Sequence, residues 1–425
     1  MQAAINHLTK AATISILGAT ALYAHSAPGI PQAPTTIFTE DFQNQPPATS
    51  GTILSDYIGA TGQTYTANPA WLTACNGLLS SADQPQAGAD GQTTSCGSQE
   101  AWNVTQQLAK TLGAYQSSAN SDSNFAVSAY TSADPGANLV EFETENTIPL
   151  SSAKRFVAAS IDVAAANCYR ASAPLLQFYL LDGGIPSAAG NQVDGCTGSL
   201  ADMPALGAAA ASTGSQGARV GTYRSGGVLV EATAVGLRIT NANGSGTGND
   251  HAFDNILLLD VSPTLDKAFN PISQNVGGNT TLTFTITNTS ELGQKAGWSF
   301  TDSLPSGLVV ATPPAISTSC ADSVVAAPAG GSSIVVEATL SEGMSSCNVS
   351  VNVTSATAGS YTNGPDNIVS AGLNPPQVSV VTFTPPVVVN PPSPTPVPTL
   401  EQWGLISLGS LLAIFGVSRL RRRQG

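Results

Sequence analysis

The sequence predicts an all-β protein of β-sandwiches, with a proline-rich stalk and one C-terminal transmembrane helix. Three observations lead there. Short runs alternate apolar with small polar residues, as in Thr281-Leu282-Thr283-Phe284-Thr285-Ile286-Thr287, the period of a half-buried strand. The 425 residues include 41 glycines and 28 prolines and are only 10% charged, so turn signals are many and charged helix faces are scarce. An apolar run from Leu405 to Val417 lies near the far end and is closed by arginines.

The first element, residues 1–26, reads as a secretory signal peptide. Lys10 precedes an apolar segment from Ala11 to Ala24, which ends in Ala24-His25-Ser26-Ala27. Cleavage between Ser26 and Ala27 places two small residues, Ala24 and Ser26, before the cut; one residue later, Pro28 would adjoin it. Strand-like runs then recur at Asn124–Tyr130, Asn138–Glu143, Phe156–Ala164, Leu175–Leu181, Thr281–Asn288, Ser333–Ala338 and Cys347–Val353. No long stretch carries helical apolar periodicity with Glu/Lys faces, so the body reads as all-β sandwiches.

Export bears on the six cysteines, at 75, 96, 168, 196, 320 and 347. An even count in an oxidising compartment predicts disulfides. A module boundary near Ser262-Pro263 isolates Cys320 with Cys347 and leaves the connectivity of the other four open. Pairing each with its nearest neighbour closes loops of 20 to 30 residues, each worth roughly 3–4 kcal/mol on the loop-entropy account. Metal binding is the poorer reading, because Cys-x-x-Cys spacing and nearby histidines are missing. Trimmed at both ends, the body has nine basic and 26 acidic residues, a net charge of −17. That balance argues against nucleic acid, which demands clustered Lys and Arg.

Residues 37–262 open with Phe38-Thr39-Glu40-Asp41-Phe42 and close with Asp250-His251-Ala252-Phe253-Asp254-Asn255-Ile256-Leu257-Leu258-Leu259-Asp260. This pattern resembles jelly-roll modules of bacterial surface proteins and some carbohydrate-binding domains. The resemblance implies that the terminal strands pair, sometimes beside a structural calcium. Glu40, Asp41, Asp250, Asp254 and Asp260 are the candidate oxygen ligands, with turn capping the favoured alternative, so no metal or cofactor is assigned. Trp71 and Trp102, with Tyr57, Tyr65, Tyr115 and Tyr130, are candidates for a sugar-stacking face; core packing is the competing reading. Catalysis is disfavoured. His7 and His25 fall in the signal peptide, His251 alone remains in the body, and no hydrolase, P-loop or zinc-protease motif occurs. A glycosidase would need only two carboxylates, but nothing in the sequence singles out a pair.

Residues 263–384 carry Leu265-x-Lys267-x-Phe269-x-Pro271, then Leu282-Thr283-Phe284-x-Ile286-x-Asn288, then Phe300-x-Asp302-x-Leu304-Pro305-x-Gly307-Leu308, and finally Gly359-x-Tyr361-x-Asn363. Together they resemble the DUF11/DUF7933-type domain of bacterial surface proteins. The resemblance implies an Ig-like sandwich acting as spacer or adhesive module. Leu282, Phe284 and Ile286 are expected to face the core, with Asp302 and Pro305-Ser306-Gly307 supplying a turn.

Residues 385–398 are proline-rich. As a polyproline-II stalk they would reach roughly 43 Å, at about 3.1 Å per residue. Residues 397–425 then order a short motif (Val397, Pro398, Thr399, Leu400, Trp403, Gly404), a transmembrane segment at 403–418 and a basic stop (Arg419, Arg421, Arg422, Arg423). Leu400 to Leu420 would span about 31 Å as a helix, enough for a ~30 Å hydrocarbon core, and the arginines stay cytoplasmic. The tail resembles the IPTL-CTERM sorting signal of Gram-negative bacteria, with Val397 in place of Ile. That family implies an exosortase-type processing enzyme, a membrane-held intermediate, and delivery to the cell surface or medium. The expected role is structural or adhesive, with extracellular polysaccharide as a candidate partner; a lectin-like carbohydrate-binding protein is the alternative.

Overall fold

The computed structural model describes residues 27–45, 51–73, 75–85, 96, 99–131, 134–168, 172–201, 217–244, 248–386 and 400–422. The expected signal peptide (1–26), most of the stalk, Val397, Pro398, Thr399 and Arg423 therefore lie outside the described residues. The chain forms two compact units, Met1–Thr384 and Pro385–Gly425.

In the first unit, all seven strand-like runs become strands. Arg155–Ala166 and Asp250–Asp260 lie side by side in a nine-stranded sheet. The first strand, Thr35–Glu40, pairs antiparallel with Asp250–Asp260, so the module's terminal strands do meet. A seven-stranded sheet built on Leu139–Thr144, Ala234–Asn241 and Leu175–Asp182 faces it. Between the two sheets lies a core that includes Phe42, Phe142, Phe178, Phe253 and Leu237.

Alternation explains what each strand touches. In Arg155–Ala166 every position is buried. Val157, Ala159, Ile161 and Val163 point into the sandwich core. On the opposite face Phe156 and Ala158 join a second core, while Ala164 and Ala166 lie under a helix. In Asp250–Asp260 the phase changes midway. Asn255 takes a left-handed φ of 53°, and the register shifts between Asp254 and Leu257. Phe253 before this bulge and Ile256 and Leu258 after it thus all face the sandwich core, freeing Leu259 and Val261 for the second core.

The body is not free of helix. Gln99–Tyr115 is α-helical and sets Val104, Leu108, Ala109 and Leu112 against Ala126, Ala164, Ala218, Val220 and Ala252. Small residues on the sheet let the helix approach closely, and the Ala101-Val104-Leu108-Leu112 spacing was its sequence signal.

Residues 264–384 form a second β-sandwich with sheets of five, four and three strands. Leu282, Phe284 and Ile286 are fully buried and meet Trp298, Phe300, Val336, Val349 and Val351 in one cluster. Asp302 is not a turn residue. It is the last inward-facing position of Lys295–Ser303, after Trp298 and Phe300, and is fully buried.

The two sandwiches share apolar packing. Phe156, Ala158, Leu259 and Val261 belong to the second cluster. Gly372 has a φ of 72°, and a Cβ there would stand 2.5 Å from the Phe156 ring, so only glycine serves both backbone and contact. Arg155 donates to Asp260 Oδ2 at 2.9 Å (Nε) and 2.7 Å (Nη2), and to Asn374 Oδ1 at 2.6 Å. Gly372 N also donates to Lys154 O at 2.9 Å. Phe156→Ala is therefore expected to cost about 3–5 kcal/mol and to split a single unfolding transition of the full chain into two. Calorimetry checks this: an unchanged single transition would mean the shared cluster does not couple the sandwiches.

Candidate functional sites

The carboxylates considered for calcium each serve a separate structural purpose. Glu40 Oε1 accepts from Tyr57 Oη and from the Phe42 N–H, both at 2.8 Å, and Glu40 Oε2 accepts from Tyr65 Oη. Asp250 takes the Thr131 N–H at 3.1 Å and Asn167 Nδ2 at 2.8 Å. Asp260 holds Arg155 and the Ser262 N–H, whereas Asp41 caps the Gln43 N–H at the surface. The five are not gathered round one point. Among the described residues, no three His, Cys, Asp or Glu side chains are placed to hold a metal ion.

The aromatic set is likewise mostly interior. Trp71, Trp102, Tyr57 and Tyr65 are at most 2% exposed, while Tyr130 is half-buried and Tyr115 exposed. Tyr57 stacks on Tyr65, and both pack round Phe42. Burial and then the Glu40 carboxylate push both phenols far above their ordinary pKa, which keeps them as donors. No sugar-stacking face forms from these six positions.

One carboxyl pair was missed from the sequence. Asp162 and Asp254 stand opposite each other on adjacent strands, and Gln116 Nε2 donates to both at 3.2 Å. Asp162 was legible as the lone charge within the apolar run Phe156–Ala164. Asn124 Nδ2 donates to Asp254 at 3.0 Å and Asn255 Nδ2 to Asp162 at 3.1 Å. In front of them opens a polar cleft of about 400 Å³, with Asp41, Gln43, Gln116, Asn124 and Asn255 in its wall. Asp254 is 0% and Asp162 3% exposed, so the amides seal the pair from the cleft and no glycosidic bond could reach them. His251 is also fully buried. Its Nε2 lies 2.9 Å from Glu141 Oε2 and its Nδ1 2.9 Å from Asn249 O. Burial opposes charge on this ring, but Glu141, the Asn249 carbonyl and Asp250 together outweigh it and raise the pKa. With both nitrogens occupied, His251 braces strands and is closed to substrate.

The cysteines form three disulfides, Cys75–Cys96, Cys168–Cys196 and Cys320–Cys347. The second unit contains the helix Leu400–Arg421. Its stretch Gln402–Arg421 is long and apolar enough to cross a membrane, with mean hydropathy 1.5 and no burial. Leu405, Ile406, Leu408, Leu411, Ile414 and Phe415 leave no polar side, as in a lipid-facing span. Its serines turn inward on their own helix: Ser407 Oγ donates to Trp403 O at 2.6 Å and Ser410 Oγ to Ile406 O at 2.7 Å. Of the sorting motif, Leu400 begins the helix and Trp403 and Gly404 sit in its first turns; Arg419 and Arg421 fall in its last turn, just before Arg422.

Comparison with known proteins agrees at the C-terminal end. Residues 263–380 match the family described as Domain of unknown function (DUF7933), and residues 395–422 match the IPTL-CTERM motif. Among curated proteins none matches. Solved structures with partial likeness include a non-cellulosomal cohesin from Archaeoglobus fulgidus (14% identity, 28% of this chain and 91% of that one, TM-score 0.22). Others are the N-terminal domain of a Streptococcus gordonii adhesin (11%, 58% and 61%, 0.27) and the collagen adhesin of S. aureus (9%, 61% and 91%, 0.21). Scores of this size leave the fold assignment to the sheets themselves.

Burial raises Asp254 to about 7, against the hydrogen bonds from Asn124, Asn255 and Gln116. The folded state therefore keeps this proton where the unfolded chain, titrating near 4, has lost it. Its contribution to stability falls as pH rises from about 4 to about 7 and is level above. Asp254→Asn should flatten that slope in denaturant titrations across the window; identical slopes in both proteins would show that the carboxyl does not titrate there.

Proposed function

We propose that the chain is an exported, non-enzymatic surface protein of a bacterial envelope or extracellular matrix, whose tail is removed by an exosortase-type membrane enzyme. One observation carries this reading: an apolar helix with no buried face lies within the IPTL-CTERM match, ends in arginines and is C-terminal to a disulfide-bonded β body. Disulfides fit an oxidising exterior. The helix fits a membrane-held intermediate, and a proline at 398 disfavours helix at the residue before it. A structural or adhesive role is favoured over the lectin alternative because the candidate stacking aromatics are largely spent in the core. Extracellular polysaccharide remains the partner class that fits a matrix component.

Mutating Pro398 and Thr399 together should leave export intact and trap an uncut, membrane-bound form. Mass spectrometry of the surface fraction decides: an exported wild-type protein still carrying its Arg-Arg-Arg-Gln-Gly end would make the tail a plain anchor. We also read residues 263–384 as an independently folding module within the proposed 37–262 and 263–384 division. A fragment of residues 263–385, made in an oxidising compartment, should give β-type circular dichroism and a cooperative melt. A molten fragment would make the two sandwiches one folding unit.

A further inference from the structure

Three polar side chains interrupt the apolar interior of the second sandwich. On Thr264–Asn270 the inward residues are Leu265, Lys267 and Phe269; on Lys295–Ser303 they end with Phe300 and Asp302; on Gly359–Asn363 they are Tyr361 and Asn363. The side chains of Lys267 and Asp302 have no solvent exposure, and Asn363 has none either. Lys267 Nζ donates to Asn363 Oδ1 at 2.6 Å and to Gly364 O at 3.0 Å, and lies 3.6 Å from Asp302 Oδ1. Asn363 Nδ2 donates to Asp302 Oδ2 at 2.7 Å. One carboxyl thus faces the lysine nitrogen with one oxygen and the carboxamide nitrogen with the other.

As a plain ion pair this arrangement is hard to justify, because desolvating two charges usually costs more than their attraction returns. As a reaction site it is complete. Burial lowers the Lys267 pKa and raises that of Asp302, and both directions favour passing the proton from ammonium to carboxylate, the form in which the amine is nucleophilic. The carboxamide carbon sits one C=O bond, about 1.2 Å, behind the oxygen that Nζ already touches. Held there, amine and amide gain the large effective concentration of an oriented intramolecular pair.

We propose that Lys267 and Asn363 join through an intramolecular isopeptide bond, with Asp302 as the catalytic proton carrier. Lys267 Nζ attacks Asn363 Cγ and forms the new C–N bond. Asp302 takes a proton from the attacking nitrogen at Oδ1 and returns one to Nδ2 from Oδ2. The Cγ–Nδ2 bond then breaks and ammonia leaves. Amine plus primary amide gives secondary amide plus ammonia, without oxidant or cofactor. The reaction occurs once per chain and is independent of how the tail is processed. It would tie the sandwich's first strand to one 96 positions later, by a bond that thiols cannot open.

Lys295 supplies an internal contrast. It too is buried, and its Nζ touches Asn288 Oδ1 at 3.2 Å as well as Glu291. But Asn288 Nδ2 donates to the Gly293 and Met344 carbonyls, both at 3.0 Å, and neither of these can return a proton to a leaving nitrogen as a carboxyl could.

The test is the mass of the purified full chain, reduced and denatured, and of its tryptic digest. The chain should weigh one ammonia less than its reduced sequence. Trypsin should fail after Lys267 but cut after Lys295, and a branched peptide should contain both Lys267 and Asn363. Lys267→Met and Asp302→Ala should each restore the missing ammonia. If either variant fails to fold, the wild-type digest decides alone. A wild-type peptide ending at an unmodified Lys267, or ammonia lost without a branched peptide, overturns the proposal.

Discussion

Burial of the strand Arg155–Ala166 on both faces is the constraint on which the first unit is built. A strand has only two faces, and this one must satisfy three neighbours: the sandwich core, the helix Gln99–Tyr115 and the second sandwich. It does so by dividing its second face along its length, with Phe156 and Ala158 at one end and Ala164 and Ala166 at the other. The polar middle, Ser160 and Asp162, falls between those contacts. A slip of one residue would exchange the faces and send Asp162 into the phenylalanine cluster, so the register is strongly specified. The neighbouring strand meets the same demand with its Asn255 bulge, which re-phases the apolar residues.

Buried charge is handled locally, group by group. Glu40 is satisfied by two phenols and a backbone amide, Asp260 by a guanidinium, and Glu141 by the His251 ring. Each solution consumes the lone pairs that a ligand would need, since a buried polar group left without partners is expensive. Residues that stand out chemically in a chain with so few charges are for this reason mostly parts of its framework.

The sequence made some of this legible and concealed the rest for definite reasons. The strand Asn279–Thr287 declares itself because one face is wet and the other dry, so Leu282, Phe284 and Ile286 alternate visibly with threonines. The helix Gln99–Tyr115 lacks a charged face: Asn103, Thr105, Gln106, Gln107 and Thr111 are polar, neutral and buried. A search for Glu/Lys-rich surfaces passes over it. Asp302 was misread because Asp-Ser-Leu-Pro-Ser-Gly has turn chemistry, although its two-residue step from Trp298 and Phe300 already marked it as inward. The Asp162–Asp254 pair rests on sheet register between distant segments, which local spacing does not encode. In the tail, composition alone nearly determines the helix, because all-round apolarity needs no tertiary partner to interpret.

The segment just after the expected signal cleavage is held far from its sequence neighbours. Gly29 N donates to Thr287 Oγ1 at 2.9 Å, Ser290 N donates to Gln32 O at 2.7 Å, and Gln32 bridges to Thr289. The strand Thr35–Glu40 similarly waits for Asp250–Asp260. A chain that crosses a membrane from its amino terminus delivers these partners in the wrong order for early assembly. The leading segment emerges first but can find its place only once some 250 further residues have followed. Vectorial export therefore cannot lay this body down from front to back: the second sandwich has to appear before the first can be fastened to it, and until then the leading strand travels with an open hydrogen-bonding edge.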